Sequence, residues 1–333
     1  MKELIRKFAQ TAGPSGYESA VRNVIREELK SYASNIQVDT LGNLIVRVGE
    51  KTKNGLSILV AAHMDEIGVI VSHVEKNGLV RFSNIGTVFP RFLPGSRVVF
   101  LNGTRGVINN EKPEDITRIP KFEMFFIDVG ATSDKDCPVR IGDLAVFEGE
   151  FHDYGANIVS KALDNRAACA LLIETIKQIK QTPHELIFVF STQEEVGSRG
   201  ALTAAFGIDA DLGFAVDVTP ASHILGTKMQ CELGKGPAIK VRDVNFISDP
   251  GVVNWMVDGA KKVRVPYQLE ILDVGSTDAR SIQMARSGVA SGALSIPCRY
   301  VHSPSEMINM ADYQNMITLM VRLLTNPVSF GKK

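Results

Sequence analysis

The sequence predicts an α/β protein in three layers, with a small all-β unit inserted into it. Three observations support this reading. Residues 56–62 and 186–190 are apolar runs rich in aliphatic and aromatic side chains, short enough for buried strands. Such runs alternate with segments of helical period, the pattern of a sheet covered by helices on both faces. From Gly68 to Tyr154 the helical period disappears. Short β-like runs there, separated by Gly, Pro, Asn and Asp, read as a small barrel. A chain of 333 residues suits one large domain plus a smaller one.

In order, Leu4, Ile5 and Phe8 share one face of a helix that stops before Gly13 and Pro14. Helix resumes over residues 17–32, with Val21, Val24, Ile25 and Leu29 on one side. Residues 36–48 read as two strands turned at Leu41, Gly42 and Asn43. Strand 56–62 ends in His63, Met64, Asp65 and Glu66. The insert's β-like runs are 69–74, 79–82, 97–101, 124–129 and 144–148, and His73 and His152 read as structural or surface residues. Asp164 precedes an amphipathic helix over 168–179. Strand 186–190 leads to Glu194 and Glu195 and then to a helix from Gly200, while strand 212–216 ends in Asp217. Residues 233–237 are Gly-rich without a phosphate-binding pattern. Helix 252–263, strand 267–272 and a further helix after Gly275–Ala279 follow; strand 289–297 then leads to a loop holding His302, and helix 310–324 closes the chain.

The 37 basic and 37 acidic residues balance, which argues against nucleic acid or an anionic membrane as partner and permits self-association. No run reaches the length of a membrane-spanning helix, and the start of the chain lacks a signal-peptide pattern. Cys137, Cys169, Cys231 and Cys298 are scattered, so reduced thiols and a cytoplasmic home are expected.

Three core strands thus lead into metal-competent side chains, at the strand ends where α/β sheets place ligands. His63 and Asp65 lie two apart, so the carboxylate can orient the imidazole. The plainer alternative is a surface histidine among acids. Asp164 is either a helix cap or a carboxylate shared by two metals. Glu194 and Glu195 are either a solvated pair at a helix start or a metal ligand beside a water-activating base. Taken together, His63, Asp164, Glu195, Asp217 and His302 suit two borderline divalent ions such as Zn or Co. One shared carboxylate satisfies the count for ions about 3.5–4 Å apart, and an unliganded carboxylate remains as base.

Across nearly its whole length the chain also resembles the tetrahedral (TET) and glutamyl aminopeptidases, some relatives of which carry cellulase names. The resemblance rests on Gly13–Glu18, Ala62–Gly68, Lys161–Asp164, Ser191–Ala201, Asp217, Gly275–Ala279 and Tyr300–Pro304. It implies a zinc-exopeptidase-like catalytic domain with a central mixed sheet, over residues 1–67 and 155–333, and a β-barrel dimerisation domain over 68–154. It further implies that Asp164 bridges two metals, that His63 and Asp217 complete one site, and that Glu195 and His302 complete the other. Glu194 would be the general base, Asp65 would orient His63, and short peptides would be the substrates. Dimers of this family commonly build a tetrahedral dodecamer. Asn165 stands where an Asp is expected, and Arg280 where Gly is usual; Arg280 either biases the pocket toward acidic residues or lies on a helix surface. A β-1,4-glucanase would also use paired carboxylates but leaves His63, Asp217 and His302 idle. A non-catalytic peptide-binding scaffold leaves the complete ligand set without purpose.

Overall fold

Strand Ser57–His63 is buried at every position, and its side chains divide between two cores. Ile58, Val60 and Ala62 face one apolar cluster, while Leu59 and Ala61 face another. That two-residue alternation with no polar face is what a strand covered on both sides requires. The structure, a computed structural model, describes residues 1–113, 115, 117–222 and 231–328. Residues 329–333, at the end of the second expected catalytic span, lie outside the described residues.

Ser57–His63 runs parallel to Glu185–Ser191 on one side and Leu212–Pro220 on the other, and Ala290–Arg299 continues the parallel group. Leu44–Val48 joins antiparallel beyond Glu185–Ser191, and Glu306–Asn309 joins antiparallel beyond Ala290–Arg299. The sheet is therefore mixed. Among the described residues it has eleven strands, ending at Asn35–Val38 on one edge and His152–Tyr154 on the other, with Ala238–Arg242 and Gln268–Ile271 as a side branch. Helices Lys2–Gln10, Leu163–Gln178, Pro250–Val263 and Met310–Thr325 contribute to the larger core. Arg199–Gly207 and Ala279–Gln283 cover the opposite face with Ala204, Ala205 and Ile282.

Six antiparallel strands close into a barrel: Gly68–Val74, Val80–Ile85, Phe125–Asp128, Arg105–Asn110, Arg97–Phe100 and Leu144–Phe147. Val69, Phe82, Phe100, Ile127 and Phe147 form its separate core. Arg105–Asn110 is absent from the sequence reading because only alternate residues turn inward and the outward ones are largely polar. The chain leaves the barrel at Phe147, and His152–Tyr154 already pairs with Asn157–Ser160 of the large sheet.

Two expectations are corrected. The helix over 168–179 is not amphipathic: Leu163–Gln178 is buried almost all round, between the sheet and the outer helices. Strand 212–216 does not stop at Asp217, since pairing with Ala290–Arg299 carries it to Pro220.

Candidate metal centre

Register brings the carboxyl ends of the parallel strands to one edge, with Ser191 opposite His63. Glu194 and Glu195 lie in the turn between Glu185–Ser191 and the helix from Arg199. Asp217 lies two residues beyond Ala215, the last residue of its strand paired with Ser57–His63. Asp164 sits in the first turn of Leu163–Gln178 with extended rather than helical torsions (φ −75°, ψ 107°). Its carboxylate makes no capping bond to the helix and turns instead to the imidazoles. His302 is held in left-handed backbone, φ 63°, just past Ala290–Arg299.

The five residues meet in two groups that share Asp164: His63, Asp164 and Asp217 in one, and Asp164, Glu195 and His302 in the other. His63 Nε2 lies 3.1 Å from Asp164 Oδ1 and 3.7 Å from Asp217 Oδ1. His302 Nε2 lies 3.3 Å from Asp164 Oδ2 and 3.4 Å from Glu195 Oε2. Asp164 thus offers one oxygen to each group. Ligand atoms about 2.0–2.2 Å from one tetrahedral ion stand roughly 3.3–3.6 Å apart, so these separations fit a pair of cations. His63 Nδ1 is 3.2 Å from the Asp65 carbonyl oxygen and 3.4 Å from Asp65 Oδ1, which leaves Nε2 for the centre. Asp65 is itself fixed by the Ser15 hydroxyl at 2.6 Å and by the backbone N–H groups of Glu194 and Glu195.

Burial opposes the charge of His63, yet hydrogen bonds to Asp164 and Asp65 raise its pKa well above the imidazole range. His302 is likewise desolvated, but Glu195 and Asp164 push it up to about 10. Asp164 is desolvated too, and the two histidines hold its carboxyl far below the usual range. Burial and neighbouring carboxylates drive Glu195 and Asp217 well above the normal range and Glu194 up to about 8. Cations relieve such crowding of acids, and they enter in exchange for protons.

Several residues around the centre were not singled out from the sequence. Glu306 is buried and accepts the Asp164 N–H through Oε2 and the His302 N–H through Oε1, both at 2.8 Å. Arg166, fully buried, donates to the carbonyls of Met64, Phe8, Thr11 and Gly13 and pairs with Glu66, which also meets Lys161 at 2.5 Å. Asp278 is buried and takes the Ser191 hydroxyl at 2.5 Å. Glu66, Lys161 and Asp278 lie inside the motifs quoted above, and Glu306 follows His302 by four residues, so proximity to those motifs is the available signal. Asn165 is buried and donates to the Val216 carbonyl at 2.9 Å, a bond that an ionised Asp could not make. Arg280 is exposed on Ala279–Gln283.

Residues 42–319 match the sequence pattern of the M42 glutamyl aminopeptidases. A provisionally named aminopeptidase of Acetivibrio thermocellus is 45% identical over 97% of this chain and 98% of its own. The Pyrococcus horikoshii TET1 peptidase, described as able to assemble into a tetrahedron or a large octahedral shell, superposes with a TM-score of 0.87 at 32% identity. That match covers 97% of this chain and 98% of the other. An endoglucanase-named structure from Thermotoga maritima superposes at 0.80 with 31% identity, covering 96% of each chain. With mixed sheet, inserted barrel and sequence pattern in agreement, the chain belongs to the M42 glutamyl aminopeptidase family of peptide hydrolases.

Proposed function

We propose that this chain removes N-terminal residues from short peptides at a centre of two divalent ions. The observation that carries the reading is Asp164, with one oxygen facing His63 and the other facing His302. His63, Asp164 and Asp217 would hold one ion, and Asp164, Glu195 and His302 would hold the other. Imidazole and carboxylate donors without thiolate favour Zn or Co. When bound, such ions polarise a peptide carbonyl and acidify the attacking water.

Glu194 is the carboxylate left over from that ligand set. Ser198 donates to its Oε1 at 3.0 Å, and its own N–H is tied to Asp65 at 2.9 Å. Fixed in this way, Glu194 takes the proton of the attacking water and returns it to the departing amine. Asp65 keeps the His63 ring oriented.

The barrel, within residues 68–154, serves as a dimerisation domain beside the catalytic spans 1–67 and 155–333, and dimers assemble into a dodecamer. The tetrahedral or octahedral assembly of the Pyrococcus horikoshii relative supports self-association, and mass measurement in solution tests the dodecamer. Four unpaired thiols support a cytoplasmic home, and no helix among the described residues is long and apolar enough to cross a membrane.

The endoglucanase name of one structural relative favours a second reading, glycoside hydrolysis. A glycosidase needs two carboxylates free to flank a sugar bond. Here Glu195 and Asp164 stand against imidazoles instead. The deciding experiment reloads metal-stripped protein with Zn or Co and compares release of amino acids from peptides with release of sugar from cellulose oligomers. Chelator-sensitive peptide turnover with two ions per chain supports the proposal, and sugar release alone overturns it.

A further inference from the structure

Between Val80–Ile85 and Arg97–Phe100 the chain leaves the barrel and lies against the metal centre. Gly86, at φ +72°, packs so closely there that a Cβ would stand 2.9 Å from Glu195 Oε2 and 2.9 Å from Ile67. The Phe89 ring lies 6.1 Å from the ring of His302. Arg91 in turn places its guanidinium 4.3 Å from the centroid of Phe89 and 4.6 Å from that of Phe92. Arg91 is exposed, and no carboxylate among the described residues stands within ion-pair distance of it. Two rings therefore hold in place a cation that answers no acid among the described residues. Stacking of this kind removes freedom from a long side chain and pre-organises its donors.

We propose that Arg91 binds a carboxylate on the leaving-group side of the substrate, an inference that rests on the aminopeptidase reading. The centre gathers carboxylates, which draw the α-ammonium end of a peptide inward. The rest of the peptide then runs outward, past His302 and Phe89, to the rim where Arg91 waits. Through Phe89, the two ring separations put the Arg91 guanidinium no farther from the His302 ring than about three residues of extended chain, at roughly 3.3–3.6 Å each. The carboxylate is either the α-carboxylate of a di- or tripeptide or an acidic side chain at the same reach. Both present the planar pair of oxygens that a guanidinium fork fits.

The test compares wild type, Arg91→Gln and Arg91→Lys, all metal-loaded, on three substrates: a neutral tripeptide, its C-terminal amide, and the amide carrying Glu at the third position. Arg91→Gln is expected to raise KM about fivefold, the scale of an exposed ion pair, on a carboxylate-bearing substrate, with kcat unchanged and the neutral amide unaffected. Arg91→Lys restores part of the loss. An effect confined to the free tripeptide names the α-carboxylate as the ligand; one confined to the Glu amide names the side chain. Equal change on all three substrates, or none, overturns the proposal while leaving peptidase activity intact. Absence of turnover by wild type on every peptide is the separate result that ends the aminopeptidase reading. Ion content and melting temperature, equal in wild type and Arg91→Gln, show that the fold is kept.

Discussion

Glu194 and Glu195 are neighbours in the chain and differ in what their carboxylates meet. Glu195 lies 3.4 Å from His302, whereas among the described residues the Glu194 carboxylate receives the Ser198 hydroxyl and meets no imidazole nitrogen at ion-pair distance. Glu194→Gln is therefore expected to keep both ions by elemental analysis, with kcat lowered about 10²–10⁴-fold and KM little changed. Loss of an ion in that variant would make Glu194 a ligand and remove it as base. Glu306 acts one step further out. It accepts N–H groups from Asp164 and His302, segments far apart in the chain, and so sets the spacing between two of the proposed ligands. An amide has one acceptor where the carboxylate has two, so Glu306→Gln sets an NH₂ group against one of those N–H donors. Affinity for the ion on the His302 side is expected to fall about 10–100-fold, read by Co absorption during titration, with the His63 side less affected. Equal loss at both sides would reduce Glu306 to a general scaffold residue.

At the scale of elements, the helix Leu163–Gln178 explains why Asp164 does not cap it. The helix is packed between the sheet and the outer helices, and its first turn departs from helical torsions at Asp164 and Asn165. Burial on nearly every side makes this helix costly to trim. Leu171→Ala is expected to destabilise the protein by about 2–5 kcal/mol in urea unfolding. Leu202, 47% exposed on the helix Arg199–Gly207, is the contrast: Leu202→Ala should change stability by no more than about 0.5 kcal/mol. Matching losses at the two positions would contradict the layering. Arg166 ties this helix to the N-terminal segment and to Met64, beside His63, by donating to four backbone carbonyls.

For the whole molecule, the centre links stability to pH. In the metal-free protein Glu194 and Glu306 bind their protons up to about pH 8, against 4.5 for an ordinary glutamate. His302 does so up to about 10, against 6.5. Each group holds its proton more tightly folded than unfolded. Its contribution is therefore fully present below the unfolded value and lost as pH rises through the folded one. The melting temperature of metal-stripped protein should fall between about pH 5 and 10, and metal-loaded protein should gain relative to it as pH rises. A metal-free melting curve that rises with pH over that window would refute the electrostatic account. Metal uptake should also release protons, visible as a buffer-dependent heat in calorimetry.

Much of the fold was legible in the sequence where local period suffices. Core strands 56–62, 186–190 and 289–297 show as apolar runs, and the insert shows as a loss of helical period. The short strands Asn157–Ser160, Ala238–Arg242 and Glu306–Asn309 did not show, because each is only four or five residues long and owes its place to neighbours from distant segments. The residue types of the centre were readable for a chemical reason: histidines and carboxylates next to core strands announce a ligand set. Their convergence was not readable. His63, Asp164, Glu195, Asp217 and His302 come from separate segments, and only parallel register and the seating of Leu163–Gln178 bring one carboxylate between two imidazoles. The arrangement of Glu306, Arg166, Phe89 and Arg91 around them belongs wholly to tertiary packing. No local pattern records which distant atoms a buried donor or a stacked guanidinium will meet.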